Sequence, residues 1–148
     1  MDRSTKIKSI IETGNSTIPL LRAEASAAYD KQMTTLQFIT INILKFDSNQ
    51  NGMTMKMLAS SLGISKQQAT ALIDSIVKLG YIDRFDNPNN RREVIVKLSD
   101  DGRKKYEEMI ANQIQKTSEK YDVFSDDELD DLQNCMNTIK NLYSRLIN

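Results

Sequence analysis

A polar stretch and, further along the chain, a pair of adjacent arginines are the groups in this sequence best suited to binding chemistry. They are Lys66, Gln67, Gln68, Thr70, Arg91 and Arg92. A glutamine amide bonds bidentately to adenine, lysine bonds to guanine or phosphate, and threonine contacts a thymine methyl group or a phosphate. A guanidinium enters a narrow minor groove or bridges phosphates. These residue types favour contact with DNA, and the alternative is two ordinary solvated surfaces.

The polar stretch lies on the second of two helices that the sequence predicts to cross steeply. Ala59 and Ala69 have almost no side chain, so the helix axes can approach closely. Gly63 suits a left-handed backbone at the end of the first helix, and Ser65 with Gln68 forms a capping box at the start of the second. Apolar residues at three- and four-residue spacing form the buried face: Leu58, Leu62, Ile64, Leu72, Ile73, Ile76 and Leu79. This pattern is a helix-turn-helix, which also occurs in proteins that never bind DNA.

A β-hairpin is predicted directly after the second helix, where Gly80 ends it. Residues 81–85 and 93–98 are rich in β-branched and aromatic residues, and Pro88 and three asparagines form the loop between them. The order of helix, turn, helix and hairpin is that of a winged helix-turn-helix, which meets a major groove and the next minor groove together. The candidate DNA-binding residues are Lys56, Ser65, Lys66, Gln67, Gln68, Thr70, Arg84, Asn90, Arg91 and Arg92.

The flanking segments are predicted to be helices that pair with a second copy of the chain. Capping patterns begin at Thr34, Ser99 and Ser125, and we expect a kink or break near Ile18, where Gly14 and Pro19 interrupt the N-terminal helix. A heptad-like seam at the C-terminus needs a partner helix, although packing against the same chain is the alternative. The candidate dimerisation residues are Ile7, Ile10, Ile11, Leu129, Leu132, Met136, Ile139, Tyr143 and Leu146.

Charge and composition restrict the function classes. The net charge is zero, but residues 53–98 carry seven basic against four acidic residues, whereas residues 122–148 carry six acidic against two basic. This polarity suits a DNA-binding segment of modest non-specific affinity. With no histidine and a single cysteine, the chain lacks the common hydrolase base and zinc ligands, so we expect neither an enzyme nor a metal or other cofactor. Cys135 and the methionines Met53, Met55 and Met57 are expected to be apolar core residues.

Four ordered segments resemble the MarR family (multiple antibiotic resistance regulators). They are residues 55–66 (Met-Lys-Met-Leu-Ala-Ser-Ser-Leu-Gly-Ile-Ser-Lys), 79–84 (Leu-Gly-Tyr-Ile-Asp-Arg), 91–92 (Arg-Arg) and 98–102 (Leu-Ser-Asp-Asp-Gly). The resemblance implies a dimeric transcription regulator, commonly a repressor released from DNA by a small molecule. Asn90 stands where the family wing usually has an aspartate, and Ala71 stands where an arginine often follows the position of Thr70.

The sequence therefore predicts a mainly α-helical fold with a small β-hairpin wing, in one domain over residues 1–148. Residues 34–98 form the winged helix-turn-helix, and residues 1–33 and 99–148 form the dimerisation part. We expect a homodimeric cytoplasmic regulator, since no apolar run is long enough to span a membrane. A small aromatic or amphipathic effector is expected in a cavity lined by Tyr29, Phe38 and Tyr106, and the alternative is that these side chains fill that space themselves. The alternative function is a winged-helix module that binds another protein instead of DNA.

Overall fold

The computed structural model describes residues 1–26, 33–46 and 51–147, and the predicted effector residue Tyr29 lies outside them. Within these residues the chain forms six helices and three strands. The elements in chain order are α1 (Arg3–Ser26), α2 (Thr35–Phe46), β1 (Met53–Thr54), α3 (Met55–Leu62), α4 (Lys66–Lys78), β2 (Ile82–Asp86), β3 (Val94–Leu98), α5 (Asp100–Tyr121) and α6 (Asp126–Ile147). The mainly helical class with a small β-sheet is confirmed.

Side-chain caps begin the helices where the sequence predicted them. The Gln37 amide oxygen accepts from the Thr34 N–H at 2.8 Å, and the Thr34 hydroxyl accepts from the Gln37 N–H at 3.2 Å. The same reciprocal pair joins Ser125 and Glu128 before α6, at 2.8 and 3.3 Å. Ser99 caps α5 by accepting from the N–H of Gly102 at 2.9 Å. Each cap satisfies backbone donors that the helix itself leaves unpaired.

The turn between α3 and α4 depends on a left-handed glycine. Gly63 has φ 65°, and its N–H and that of Ile64 donate to the carbonyls of Ser60 and Ala59 at 3.2 and 3.1 Å. A side chain at this φ would be strained, so glycine is favoured here. Ala59 and Ala69 are buried between the helices, as predicted from their size. The turn thus brings the start of α4 close to the end of α3 with its polar face outward.

The hairpin is extended to a three-stranded antiparallel sheet by a strand that the sequence did not reveal. The order is β1-β3-β2, with Met53 opposite Val96 and Ile82 opposite Leu98. A strand of two residues is too short to show an alternating pattern. Gly52, with φ 86°, precedes it, and a Cβ there would lie within 2.7 Å of β3 atoms. This close backbone approach requires glycine.

One core joins the helix-turn-helix to the sheet and to the start of α5. Its fully buried apolar residues include Ile41, Leu58, Ile73, Ile76 and Val96. The prediction for the methionines is wrong at one position: Met53 and Met55 are buried, but 46% of Met57 is exposed, because it lies on the outer face of α3. Cys135 was also predicted to be buried and is exposed in this single chain.

The N-terminal helix is not broken near Ile18, so the break expected from Pro19 is wrong, and the kink expected as its alternative stays a prediction. Helix α1 stays helical from Arg3 to Ser26 with Pro19 inside it. Proline removes one N–H donor and disfavours the helix locally. The hydroxyls of Ser16 and Thr17 both donate to the Thr13 carbonyl at 2.8 Å, and Pro19 itself is exposed. Water can therefore solvate the carbonyl that loses its backbone partner.

We predict that Gly102→Ala lowers the free energy of unfolding by about 2 kcal/mol or more, which is typical of an overpacked buried site. Gly102 is buried in the first turn of α5, and an added Cβ would overlap the carbonyl oxygen of Tyr81. That carbonyl also accepts from the Ser99 N–H at 3.1 Å, so it cannot move without loss of a hydrogen bond. Urea unfolding measures the difference. The exposed neighbour Arg103→Ala is the control and should change stability by less than about 0.5 kcal/mol; equal effects of the two variants would contradict the prediction.

Candidate nucleic-acid interface

Basic side chains from four parts of the winged helix-turn-helix line one cleft between α4 and the hairpin. The cleft has a volume of about 240 Å³. Its cations are Lys56 of α3, Lys66 of α4, Arg84 of β2 and Arg92 of the hairpin loop. Thr54, Met55, Thr70, Glu93 and Val94 complete the lining. The predicted DNA-binding residues Lys56, Lys66, Thr70, Arg84 and Arg92 therefore lie together. A concentration of cations around one cavity favours a phosphate or another anion.

An ion pair ties the hairpin to α4. The guanidinium of Arg84 on β2 contacts the carboxylate of Asp74 on α4, and both side chains are partly exposed. An exposed pair of this kind adds little to stability. It does orient Arg84 at the edge of the cleft and offsets part of the positive charge there. Contact with a phosphate would therefore compete with Asp74 for this guanidinium.

Asparagine side chains hold the loop of the wing. The Asn87 amide donates to the Glu93 carboxylate at 3.1 Å, and its oxygen accepts from the Asn89 N–H at 3.0 Å. The Asn90 oxygen accepts from the backbone N–H of Arg92 at 3.2 Å. At this position, where the family wing usually has an aspartate, Asn90 makes a neutral hydrogen bond to the backbone. The loop conformation next to Arg92 is thus fixed without consuming its guanidinium.

The two wing arginines are exposed. In the described part of the chain, neither Arg91 nor Arg92 forms an ion pair or a side-chain hydrogen bond. Arg92 lines the cleft, whereas Arg91 lies beside it in sequence and outside that lining. Both guanidinium groups are therefore available for a ligand, and Arg92 is the one held next to the cations of α3 and α4.

The predicted capping box fixes the start of α4. Its hydrogen bonds reduce the number of polar side-chain groups that remain free to bind a ligand. The Ser65 N–H donates to the Gln68 amide oxygen at 2.9 Å, and the Ser65 hydroxyl accepts from the Gln68 N–H at 3.1 Å. The Thr70 hydroxyl donates to the Lys66 carbonyl at 2.9 Å. Gln67 is exposed and has no side-chain partner in the described residues. Of the two glutamines, only Gln67 keeps its whole amide free.

Neither Phe38 nor Tyr106, two of the predicted effector residues, lines any of the cavities described in this section. Tyr106 is buried and packs edge-on against Phe46, with ring centroids 5.8 Å apart, and Lys45 lies 5.1 Å from its ring. Burial raises the pKa of the Tyr106 phenol. Phe38 is half-buried, and Tyr29 lies outside the described residues. Their role in effector binding stays a prediction.

Two larger cavities lie along α1 and were not predicted. One, of about 440 Å³, separates α1 from α6 and has Ile10, Ile18, Leu21, Ile139 and Tyr143 in its lining. The other, of about 400 Å³, lies between Glu24 of α1 and the stretch of α5 that ends at Tyr121. Burial raises the pKa of the Tyr121 phenol, and Glu24 raises it further by its charge and by a hydrogen bond. These cavities depend on helices that are far apart in sequence, so no local motif predicts them.

The predicted dimerisation residues form a largely uncovered apolar surface on α1 and α6. Eight of the nine are exposed in the single chain, namely Ile7, Ile10, Ile11, Leu132, Met136, Ile139, Tyr143 and Leu146, and Leu129 is half-buried. The sequence analysis missed Leu20 and Leu142, which are also exposed. Both are apolar residues within predicted helices, and the sequence could have identified them as dimerisation residues on that ground. The surface remains without a partner in the isolated chain.

No cluster of three or more histidine, cysteine, aspartate or glutamate side chains in the described residues could hold a metal ion. Among the helices so described, none combines the length and the apolar character that crossing a membrane requires.

Comparison with known proteins identifies the fold and the family. A family model described as MarR family matches residues 41–94, which include β1, α3, α4 and β2. Residues 41–94 thus form a MarR family segment. A MarR family protein from Bacillus stearothermophilus has the same fold, with a TM-score of 0.69 and 17% identity over 97% of this chain and 99% of that chain.

Two curated relatives of this chain are named as regulators of transcription. The HTH-type transcriptional repressor YetL of Bacillus subtilis (strain 168) is 24% identical over 90 residues, which is 61% of this chain and 54% of YetL. The uncharacterized HTH-type transcriptional regulator YhbI of the same organism is 32% identical over 71 residues, which is 47% of this chain and 44% of YhbI. The chain thus spans about half the length of the curated relatives it matches.

We predict that Gln68→Ala lowers the free energy of unfolding by about 1 kcal/mol, because the Ser65 N–H loses its acceptor. Gln68→Glu should keep the original stability, since a carboxylate accepts the same hydrogen bond and suits a helix N-terminus. Chemical denaturation measures all variants. Gln67→Ala, one position earlier and without a partner, is the matched control and should have almost no effect; a loss as large as that of Gln68→Ala would show that the capping bond is not the cause.

Proposed function

We propose that this protein is a homodimeric, sequence-specific DNA-binding regulator of transcription. The single observation that carries the proposal is the cleft that joins Lys56, Lys66, Arg84 and Arg92. These cations come from both helices of the helix-turn-helix and from the hairpin, so one phosphate backbone can contact all of them. The names of YetL and YhbI support the same role. The proposal includes the predicted location of the protein in the cytoplasm.

The groove contacts follow from how the elements are placed. Helix α4 presents the exposed residues Lys66 and Gln67 at its N-terminal end, the part of a recognition helix that contacts base edges in a major groove. The wing lies beside α4, and Arg92 and the exposed Arg91 suit a narrow minor groove or its phosphates. In this arrangement the cleft holds the backbone strand between the two grooves.

Electrostatics orient the protein on DNA more than they strengthen binding. Residues 53–98 have a net charge of +3, and residues 122–148 have a net charge of −4. The acidic end of α6 is therefore repelled from the backbone while the winged helix is attracted. Because non-specific affinity scales with the number of phosphates neutralised, a charge of this size gives weak non-specific binding. Contacts to specific bases and the use of two half-sites must provide the rest of the affinity for the operator.

The uncovered apolar surface supports a twofold dimer. Exposed residues of α1 and α6, such as Ile7, Ile11, Met136 and Leu146, belong to the predicted seam. Contiguous apolar surface on a monomer usually marks an interface, and the twofold dimer is the commonest assembly. Two copies related in this way present two α4 helices to an inverted repeat, with half-sites about 10 base pairs apart. Repression follows when such a site overlaps a promoter.

A small effector is part of the same proposal. A molecule that binds between the dimer helices and the winged helix would change the distance between the two α4 helices. An aromatic or amphipathic molecule suits the apolar and tyrosine groups present, among them the predicted Phe38 and Tyr106. A hundredfold preference for the DNA-free form corresponds to about 2.7 kcal/mol of coupling. The described cavities along α1 provide space for such a molecule beside the proposed dimer interface.

The predicted alternative, a winged-helix module that binds another protein, has no specific observation in its favour. Its partner would have to be acidic to cover the cleft cations. The test of the proposal separates the two functions, because it measures binding to DNA alone.

We predict that the protein binds a duplex taken from upstream of its own coding sequence, and that Arg92→Gln weakens this binding. Loss of one phosphate contact should reduce affinity at operator and unrelated sequences alike, and should reduce the slope of log affinity against log salt by about 1. Fluorescence anisotropy at several salt concentrations measures both quantities. The control is Arg103→Gln, which removes the same charge from α5, outside the cleft lining.

Equal slopes for wild type, Arg92→Gln and Arg103→Gln would contradict the proposed wing contact. If wild-type protein binds no upstream fragment more tightly than unrelated DNA, the proposed sequence-specific function itself is wrong. A further outcome, tight binding with an unchanged slope after Arg92→Gln, would assign the phosphate contact to other cations of the cleft.

We predict that Met136→Asp and Ile139→Asp dissociate the dimer, because each buries an unpaired carboxylate in the seam. Both side chains are half exposed in the single chain, so neither substitution disturbs the core around Ile73. Analytical ultracentrifugation should show a monomer, with helix content retained in circular dichroism. Asn134→Asp is the control, since residue 134 lies on the opposite face of α6 and should leave a dimer. If both seam variants remain folded dimers, the interface lies elsewhere.

A further inference from the structure

The exposed face of the first two turns of α4 offers amide and methyl groups to a ligand and contains no arginine. Its members after Lys66 are Gln67, Gln68, Thr70 and Ala71, and all are exposed. Arginine bonded to guanine is the commonest specific contact in a major groove. The arginines of the interface, Arg84, Arg91 and Arg92, all belong to the hairpin. The helix itself must therefore read bases by other chemistry.

Hydrogen bonds within α4 narrow that chemistry further. The Gln68 oxygen accepts from the N–H of Ser65 at 2.9 Å, so this capping bond holds the side chain at the helix end and already uses part of its acceptor capacity. The Thr70 hydroxyl proton is committed to the Lys66 carbonyl at 2.9 Å, so its methyl group gains importance in any contact. Lys66 lies in the cation cleft, where a phosphate is its nearest suitable partner. Gln67 alone keeps a free acceptor and two free donors.

Gln67 and Ala71 lie four residues apart and therefore on the same face of α4. A free glutamine amide matches the N6 and N7 groups of adenine, and an alanine methyl group packs against the C5 methyl group of thymine. One A·T pair, or two neighbouring ones, present both features in the major groove. A G·C pair has no thymine methyl group, and its guanine has an acceptor, O6, where adenine has the N6 donor.

We propose that this face of α4 selects A·T base pairs, with Gln67 bonded to adenine and Ala71 in contact with a thymine methyl group. The inference rests on the proposed DNA-binding function and specifies its substrate. Ala71, which departs from the arginine often found there in the family, is then a residue that determines specificity. The Thr70 methyl group extends the same apolar contact toward the cleft.

The test begins with selection of binding sequences from a random duplex library by the wild-type protein. Enriched half-sites should contain A·T pairs at the positions nearest α4. Each thymine in the best sequence is then replaced by deoxyuridine, which removes only the methyl group and leaves the protein unchanged. At one position per half-site the affinity should fall about fourfold, as expected for loss of one buried methyl group.

Protein variants assign the contacts. Gln67→Ala should reduce discrimination for one A·T pair by about tenfold, whereas Gln115→Ala, an exposed glutamine on α5, should leave it unchanged. With Ala71→Gly, deoxyuridine should no longer weaken binding at the sensitive position, provided that thermal unfolding shows a folded protein. The thymine replacement on wild-type protein remains decisive if this variant does not fold.

The possible outcomes distinguish failure of this inference from failure of the proposed DNA-binding function on which it rests. Enrichment of G·C pairs at the α4 positions, or equal binding of thymine and deoxyuridine at every position, overturns the inference and leaves the DNA-binding function intact. Absence of any enriched sequence overturns both. Methyl sensitivity that persists at full size in folded Ala71→Gly overturns the assignment to Ala71.

Discussion

The pairing of β3 with two different strands is the constraint on which the interface depends. Strand β1 leads directly into α3, strand β2 follows α4, and both are hydrogen-bonded to β3, whose Val96 is fully buried in the core. Three of the four cleft cations lie in or next to these strands. Lys56 lies just after β1, Arg84 is within β2, and Arg92 lies just before β3. The sheet thus sets the spacing of the cations before any ligand binds, and an organised site loses less conformational entropy on binding.

Internal hydrogen bonds then decide which polar groups remain for a partner. The capping box consumes the Gln68 oxygen, and the wing loop consumes the oxygens of Asn87 and Asn90. These bonds are local and use short-range geometry, so they form in the free protein. What remains outward is a small set, namely the Gln67 amide, the methyl groups of α4 and the wing guanidinium groups. The same residues that make the helix and loop rigid therefore limit what the surface can recognise.

Local features of this chain were predictable from its sequence, and contacts between distant segments were not. Ser65, Gln68 and Gly63 act through neighbours within three residues, and the sequence contains that information directly. Strand β1 has only two residues and exists because β3 is beside it, so no pattern within β1 reveals it. Tyr106 has the type of residue that lines a pocket, yet it packs on Phe46, and only the arrangement of α2 against α5 decides between the two. Pro19 was given too much weight, because an exposed helix tolerates the loss of one backbone bond.

The charge of the winged helix and the apolar surface of the outer helices both determine the affinity for DNA. A segment with a net charge of +3 binds the phosphate backbone weakly by itself. If the proposed dimer forms, binding of the first half-site turns the second into an intramolecular event, and the affinity gain depends on whether both α4 helices fit at once. Such a protein needs its dimer interface in order to bind DNA tightly, not only to double the number of contacts. A modest basic charge then becomes an advantage, because a change in the distance between the two α4 helices removes most of the affinity while the single winged helix stays intact.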